Sequence, residues 1–289
     1  MLKRLSFLCT ALLALAACSN NNDNASQAPQ PTPAPAATAP AAQPAAAATA
    51  AAPAAASTAA APAAASTTAQ APAAPAAPAT PFVDDGKWVE GKHYFRIEPA
   101  QAKVSNTDKI EVAEVFSYGC PACNAFHPTM NEMVKQLPAN AAVAYLPASF
   151  MPAENWPMLQ RAFLTAQALG VADKANDAMY EAVWNTKELS AMKTESSLKP
   201  ASALPTIDDA AKVYAKFGAD PKEFAAVANS FAINTKVKRA DELLKAYGVE
   251  ETPTIVVNGK YRFTARSAGG YDQAVELAKW LVSKEAAGK

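Results

Sequence analysis

The first residues in this 289-residue chain whose spacing points to chemistry are two cysteines, in Gly119-Cys120-Pro121-Ala122-Cys123. Pro121 disfavours helical geometry at the residue before it and suits the first position of a helix. Cys120 therefore reads as an N-cap, with its sulfur facing the free backbone N–H groups of Ala122 and Cys123. Those donors and the positive end of the helix favour thiolate over thiol. Cys123 falls in line with Phe126 and Met130, so it should point toward the core. One exposed, acidified sulfur and one shielded partner is the arrangement that thiol–disulfide exchange needs. A substrate thiolate attacks Cys120; later a stabilised Cys120 thiolate leaves, and the substrate departs oxidised. Two other readings stay open on the residues alone. A structural disulfide across so small a loop would stabilise the fold by only ~2 kcal/mol. A metal site would draw on Cys120, Cys123 and His127 along one helix face. His93 is the only other histidine, however, and zinc takes four ligands, or three plus water. Redox exchange is the reading these residues favour.

Such a pair needs a rigid junction. Ile110 to Tyr118 is rich in Val, Ile and Phe and reads as a buried strand. After Cys123, Phe126, Met130, Met133, Val134 and Leu137 recur at helical spacing. The cysteines thus sit where a strand turns into a helix. Glu114 interrupts the strand, and alternation puts it on the face of Val112 and Phe116, so burial is expected. A buried carboxylate has a raised pKa and exchanges protons near neutrality. Glu114 is therefore a candidate to accept or return the proton of Cys123; the plain alternative is an exposed Glu on an edge strand. His127, two turns below Cys120, reads as packing or surface rather than catalysis. Farther on, Gly248 to Tyr261 reads as strand, Asn258-Gly259 hairpin, strand. Pro253 opens the first of these strands, and without other information its peptide bond is expected to be trans.

The averages of 51% hydrophobic and 18% charged residues conceal a partition. Residues 28–81 hold 30 alanines and 12 prolines, together 42 of 54 positions, and Asp23 is the only charged residue from Cys18 to Phe82. Setting aside Lys3, Arg4 and Asp23 leaves 49 of the 52 charges in residues 83–289, a normal density for a soluble domain. They divide into 24 basic and 25 acidic, so bulk charge offers no basis for nucleic-acid binding. Met1–Ala17 has a basic start and an apolar run from Leu5 to Ala17. That run is shorter than the ~20 residues of a membrane-spanning helix and reads as a signal segment, residues 1–17. Leu15-Ala16-Ala17-Cys18 resembles the bacterial lipobox, in which the cysteine is lipidated; ordinary cleavage after Ala17 is the alternative. Residues 18–82 then comprise the lipidated Cys18 and a disordered Ala/Pro-rich linker with too little apolar surface to build a core. As a flexible chain it would span roughly 45 Å, and about 200 Å if extended. Export places the domain in a disulfide-permissive compartment. Of the four cysteines, Cys9 is removed and Cys18 is the anchor, which leaves Cys120 and Cys123 for the folded part.

Phe116-Ser117-Tyr118-Gly119-Cys120-Pro121-Ala122-Cys123, with Glu114 upstream and Gly248…Thr252-Pro253 downstream, resembles the DsbA family of bacterial thiol:disulfide interchange proteins. The similarity runs from about Trp88 to the C-terminus and includes Ala168-Leu169-Gly170-Val171 and Val257-Asn258-Gly259-Lys260-Tyr261. It implies an α/β thioredoxin fold with an inserted all-helical domain. Residues 83–152 and 241–289 would form the thioredoxin-like part, and 153–240 the insertion. Helical patterns over 156–170, 171–186, 207–218 and 221–248 agree, and a last helix over about 271–285 would return to the thioredoxin layer. The resemblance makes Cys120 the attacked sulfur, Cys123 the resolving one and Glu114 the buried acid. Pro253 would be cis, with Thr252 offering backbone hydrogen bonds to an extended substrate, and Pro128 would kink the active-site helix. The redox-active disulfide is its own cofactor, and no metal is expected. Partners would be reduced or unfolded exported proteins, a membrane quinone reductase similar to DsbB, and the membrane itself through the lipid anchor. A periplasmic monomer is expected, anchored at the outer rather than the inner membrane because Ser19 follows Cys18.

Three features depart from the family pattern. The family's best-known oxidase has His where this chain has Ala122, which removes a donor to the thiolate and implies weaker oxidising power. Thr before the cis proline is commoner among the related isomerases. Ser190–Pro205 is longer than in compact members. Reductase or isomerase activity on the same fold is therefore the enzymatic alternative, although the linker stands where an isomerase would carry a dimerisation domain. A metal-binding or chaperone module is the alternative from another class.

Overall fold

Residues 82–289 are described by a computed structural model. The signal segment, Cys18 and the linker as far as residue 81 lie outside the described residues. Strands β1 (Phe95–Arg96), β2 (Ile110–Phe116), β3 (Ala141–Pro147), β6 (Thr254–Val257) and β7 (Tyr261–Phe263) make one sheet in the order β1-β7-β6-β2-β3. Only β2 and β3 run parallel, joined by helix α1 (Pro121–Gln136); the other pairs are antiparallel. β2 lies between β3 and β6 and is buried on both faces, which is why it reads as a nearly unbroken apolar run.

Alternate side chains of the central strands enter two different cores. Val112, Ile255 and Val257 pack with Phe126, Met130 and Met133 of α1, and with Leu277 and Leu281 of α8 (Tyr271–Ala286). Ala113, Val115 and Val256 face a larger core that reaches Phe163, Tyr214, Phe224 and Leu244. That second core is supplied by α2 (Trp156–Ala168), α3 (Ala172–Trp184), α4 (Ile207–Ala215), α5 (Pro221–Ala228) and α6 (Phe231–Ala246). The apolar pattern over 221–248 is thus two helices. Ser230 starts the second, its hydroxyl accepting from the Ile233 amide at 3.3 Å. Residues 190–205 contain a small ribbon, β4 (Met192–Thr194) paired with β5 (Ser197–Leu198), between α3 and α4.

The β6–β7 connection is the Asn-Gly hairpin. Asn258 and Gly259 have φ of 53° and 66°, and the Lys260 amide donates to Val257 O at 2.9 Å. Gly259 is also fixed by space: a Cβ there would stand 2.2 Å from the Gln101 carbonyl oxygen. Helix α7 (Ala265–Ala268) follows β7, with Thr264 and Ser267 forming a capping box. Among the described residues no helix is long and apolar enough to cross a membrane.

Candidate active site

Cys120 caps α1 from an extended conformation (φ −84°, ψ 121°), with Pro121 at the first helical position. Its Sγ accepts from the Cys123 amide at 3.3 Å. Both cysteines are free, so the geometry is that of the dithiol. The Cys120 thiol is lowered to about 6. The largest cause is a hydrogen bond from the Cys123 thiol; burial opposes it, and the Thr252 side chain and the amides of Cys123 and Ala122 add to it. The Thr252 carbonyl lies 3.5 Å from Sγ and can only accept, so that contact favours the protonated sulfur. Donation from the capping groups outweighs it. Cys123 has no exposure, and burial pushes its thiol well up.

Cys120 is more enclosed than its place at a helix start implies. It is only 5% exposed, because the segment around Thr252-Pro253 lies against it. The Thr252–Pro253 bond is cis, so the expectation from the family resemblance holds and the one from base frequency does not. Pro121 and Ala122 are both exposed at the start of the helix, beside the sulfur.

Glu114 is 1% exposed on β2, where its register partners are Tyr145 of β3 and Ile255 of β6. Its parity with Val112 turns it toward the start of α1. Burial first, and the Cys120 charge second, push its carboxyl up to about 8. Oε1 has no hydrogen-bond partner. A carboxyl in that condition is held mainly as the neutral acid at pH 7 and keeps a free acceptor site. The structure therefore brings together Glu114, Cys120, Cys123, Thr252 and Pro253, drawn from β2, α1 and the segment before β6. Cys18 lies outside the described residues.

Residues 111–276 match the family model for a DSBA-like thioredoxin domain. The chain belongs to the DsbA family. It is 37% identical over 200 residues to the thiol:disulfide interchange protein DsbA of Pseudomonas aeruginosa, covering 69% of this chain and 87% of that one. The DsbA of Burkholderia cepacia is 31% identical over 214 residues, 74% of this chain and 89% of the relative. Among solved structures, a crystal structure of P. aeruginosa DsbA superposes with a TM-score of 0.60 at 36% identity, covering 71% of this chain and 97% of that one. This DsbA-family chain is a protein disulfide oxidoreductase with a thioredoxin fold.

The supports of the DsbA site come from α3 and were not foreseen. Trp184 Nε1 donates to Tyr118 O at 2.8 Å, and Tyr118 Oη donates to Asn176 Oδ1 at 2.9 Å, so the turn before Cys120 is held at two points. Tyr180 meets the Tyr118 ring edge-on at 5.0 Å and lies 4.4 Å from the His127 ring. His127 Nε2 lies 2.6 Å from Asp177 Oδ1, which makes it a link between α1 and α3. The packing reading of His127 stands, and its ring is directed to Asp177 rather than to the sulfurs. Residues 176, 177, 180 and 184 share a helical face, and that spacing was the available signal. Gly119 was missed for another reason. A Cβ there would stand 2.6 Å from Trp156 Nε1, so the missing side chain lets Trp156 close over the turn.

Proposed function

We propose that this protein introduces disulfide bonds into reduced exported polypeptides through a mixed disulfide at Cys120. A substrate thiolate attacks Cys120 Sγ of the Cys120–Cys123 disulfide, the S–S bond breaks, and Cys123 leaves with the electron pair. With its pKa raised by burial, Cys123 takes up a proton at once, and the neutral Glu114 carboxyl is the nearby donor. A second substrate thiolate then attacks the substrate sulfur of the mixed disulfide. Cys120 departs as a thiolate that the capping donors stabilise. Two electrons have moved from the substrate dithiol to the protein. Thr252 would align the extended substrate chain beside Cys120, and Pro253, having no N–H, leaves that edge free for it.

The acidified Cys120 over a buried, weakly acidic Cys123 is the observation that carries this reading. Reoxidation is assigned to a membrane quinone reductase similar to DsbB. The sequence supports a periplasmic, monomeric protein. It would comprise signal segment 1–17, an anchor at lipidated Cys18, a linker to residue 82, a thioredoxin-like part of 83–152 and 241–289, and an insertion of 153–240. Ser19 supports the outer membrane as the anchoring site.

Oxidative refolding of a reduced, disulfide-dependent enzyme tests the central step. The oxidised protein should restore its activity, Cys120→Ser should abolish this, and Cys123→Ser incubated with a disulfide-containing substrate should accumulate a mixed disulfide at Cys120, one substrate thiol being released. Refolding at full rate by Cys120→Ser would overturn the reading. Incorporation of labelled fatty acid, lost in Cys18→Ala, tests the anchor.

A further inference from the structure

The cysteine site opens into a groove that carries charged side chains of both signs. A cavity of about 320 Å³ beside Ala122 is lined by Thr252, Pro253, Ala265, Arg266 and Tyr271. It shares Glu251, Thr264 and Arg266 with a larger cavity of about 770 Å³ that continues to Phe95 and Arg262. Phe95 and Tyr271 present 40% and 43% of their surfaces to solvent, so the groove has apolar stations at either end. An extended peptide leaving Cys120 past Pro253 would run along it.

Arg266 is the only cation that lines the cavity beside Ala122. It is exposed, and among the described residues it belongs to no ion pair. Glu251 lines the same cavity but does not come within ion-pair distance of it. Arg262 is differently placed: its Nη1 lies 2.8 Å from where a Cβ of Gly248 would be, so it packs over that backbone. Arg266 thus stands unpaired where the groove leaves the active-site dipeptide, with Glu251, and Glu250 farther along, lining the same groove beyond ion-pair distance. A guanidinium in that setting pairs with carboxylates, two N–H groups to two oxygens.

We propose that Arg266 selects substrate segments that carry an acidic side chain close to the reacting cysteine. The proposal rests on the reading of Cys120 as the attacked sulfur and names the substrate class for that site. An exposed pair of this kind is worth about a two- to five-fold change in rate constant, and salt should diminish it.

The test is single-turnover oxidation of two dithiol peptides by the oxidised full chain. The peptides differ only in an Asp or a Lys next to the first cysteine. The Asp peptide should react about three-fold faster. Arg266→Glu should invert that order, Arg266→Lys should keep it, and roughly 0.5 M salt should bring the ratio toward one. Equal rate constants in the natural protein, or a ratio that Arg266→Glu leaves in place, would overturn the selection by Arg266 while disulfide donation stands. Oxidation of neither peptide would overturn both.

Discussion

The reduction potential should change its dependence on pH near pH 6. Reduction of the disulfide yields one thiol that is lowered from 9.0 to about 6 and one that is raised well above 9.0. Below pH 6 both sulfurs of the dithiol carry protons, so two protons accompany two electrons and the potential falls by about 59 mV per pH unit. Above pH 6 Cys120 is a thiolate, one proton is taken up, and the slope halves to about 30 mV. The size of the effect at pH 7 follows from the same two values. A thiol at about 6 gains roughly 1.4 kcal/mol over one at 9.0 there. Discounting for solvent near the sulfur leaves about 1 kcal/mol, equivalent to about 20 to 30 mV of added oxidising power. The sign is that of a depressed group: the stabilisation is complete above pH 9 and is lost as the pH falls through 6. Equilibration with glutathione buffers from pH 4.5 to 8.5 measures the slope, and thiolate absorbance in the ultraviolet measures the ionisation independently. One uniform slope of about 59 mV per unit across that range, without a thiolate step below pH 8, would refute the acidification of Cys120.

Glu114→Gln should stabilise the dithiol form at pH 7 by on the order of 2 to 3 kcal/mol, because a carboxyl raised from 4.5 to about 8 loses stability as pH climbs between those values. The same variant should slow exchange and make the protein more oxidising; denaturation curves for variant and natural protein that stay parallel from pH 5 to 8 would count against the buried acid. Gly119→Ala should cost about 1 to 3 kcal/mol by overpacking against Trp156 Nε1, 2.6 Å from the new Cβ. Trp156→Leu in the same chain should recover part of that loss, and a double-mutant cycle with no coupling would show the contact to be unimportant.

What the sequence discloses here is what one element encodes by itself. The Cys120 cap, the Pro121 start, the alternation that puts Glu114 on the face of Val112 and the Asn258-Gly259 turn each depend on neighbours within a few residues. All are visible before any fold is known. The break at Ser230 is local as well, yet an apolar stripe that runs on past Asn229 masks it. The grip of α3 on the Tyr118 turn is different in kind. Trp184 and Asn176 meet Tyr118 from 66 and 58 residues away, and an isolated Trp or Asn in an amphipathic helix carries no mark of that destination. Likewise Gly119 looks like turn punctuation until Trp156 is placed above it.

The same division runs through the chemistry of Cys120. Its acidity arises first from the Cys123 thiol, with the Thr252 side chain and then the amides of Cys123 and Ala122 adding to it. Its enclosure comes from Thr252, 132 residues away, whose carbonyl stands 3.5 Å from Sγ and works against the thiolate. The two influences bear on different steps. The local donors act whenever charge is on the sulfur, and so they favour Cys120 as leaving group. The Thr252 carbonyl accepts from the sulfur only while the dithiol is protonated, below about pH 6, since neither the thiolate nor the disulfide has a proton to give it. Above that pH the carbonyl receives no hydrogen bond from the sulfur in either redox state, so the donors at the helix start, and not the Thr252 carbonyl, decide how readily Cys120 leaves.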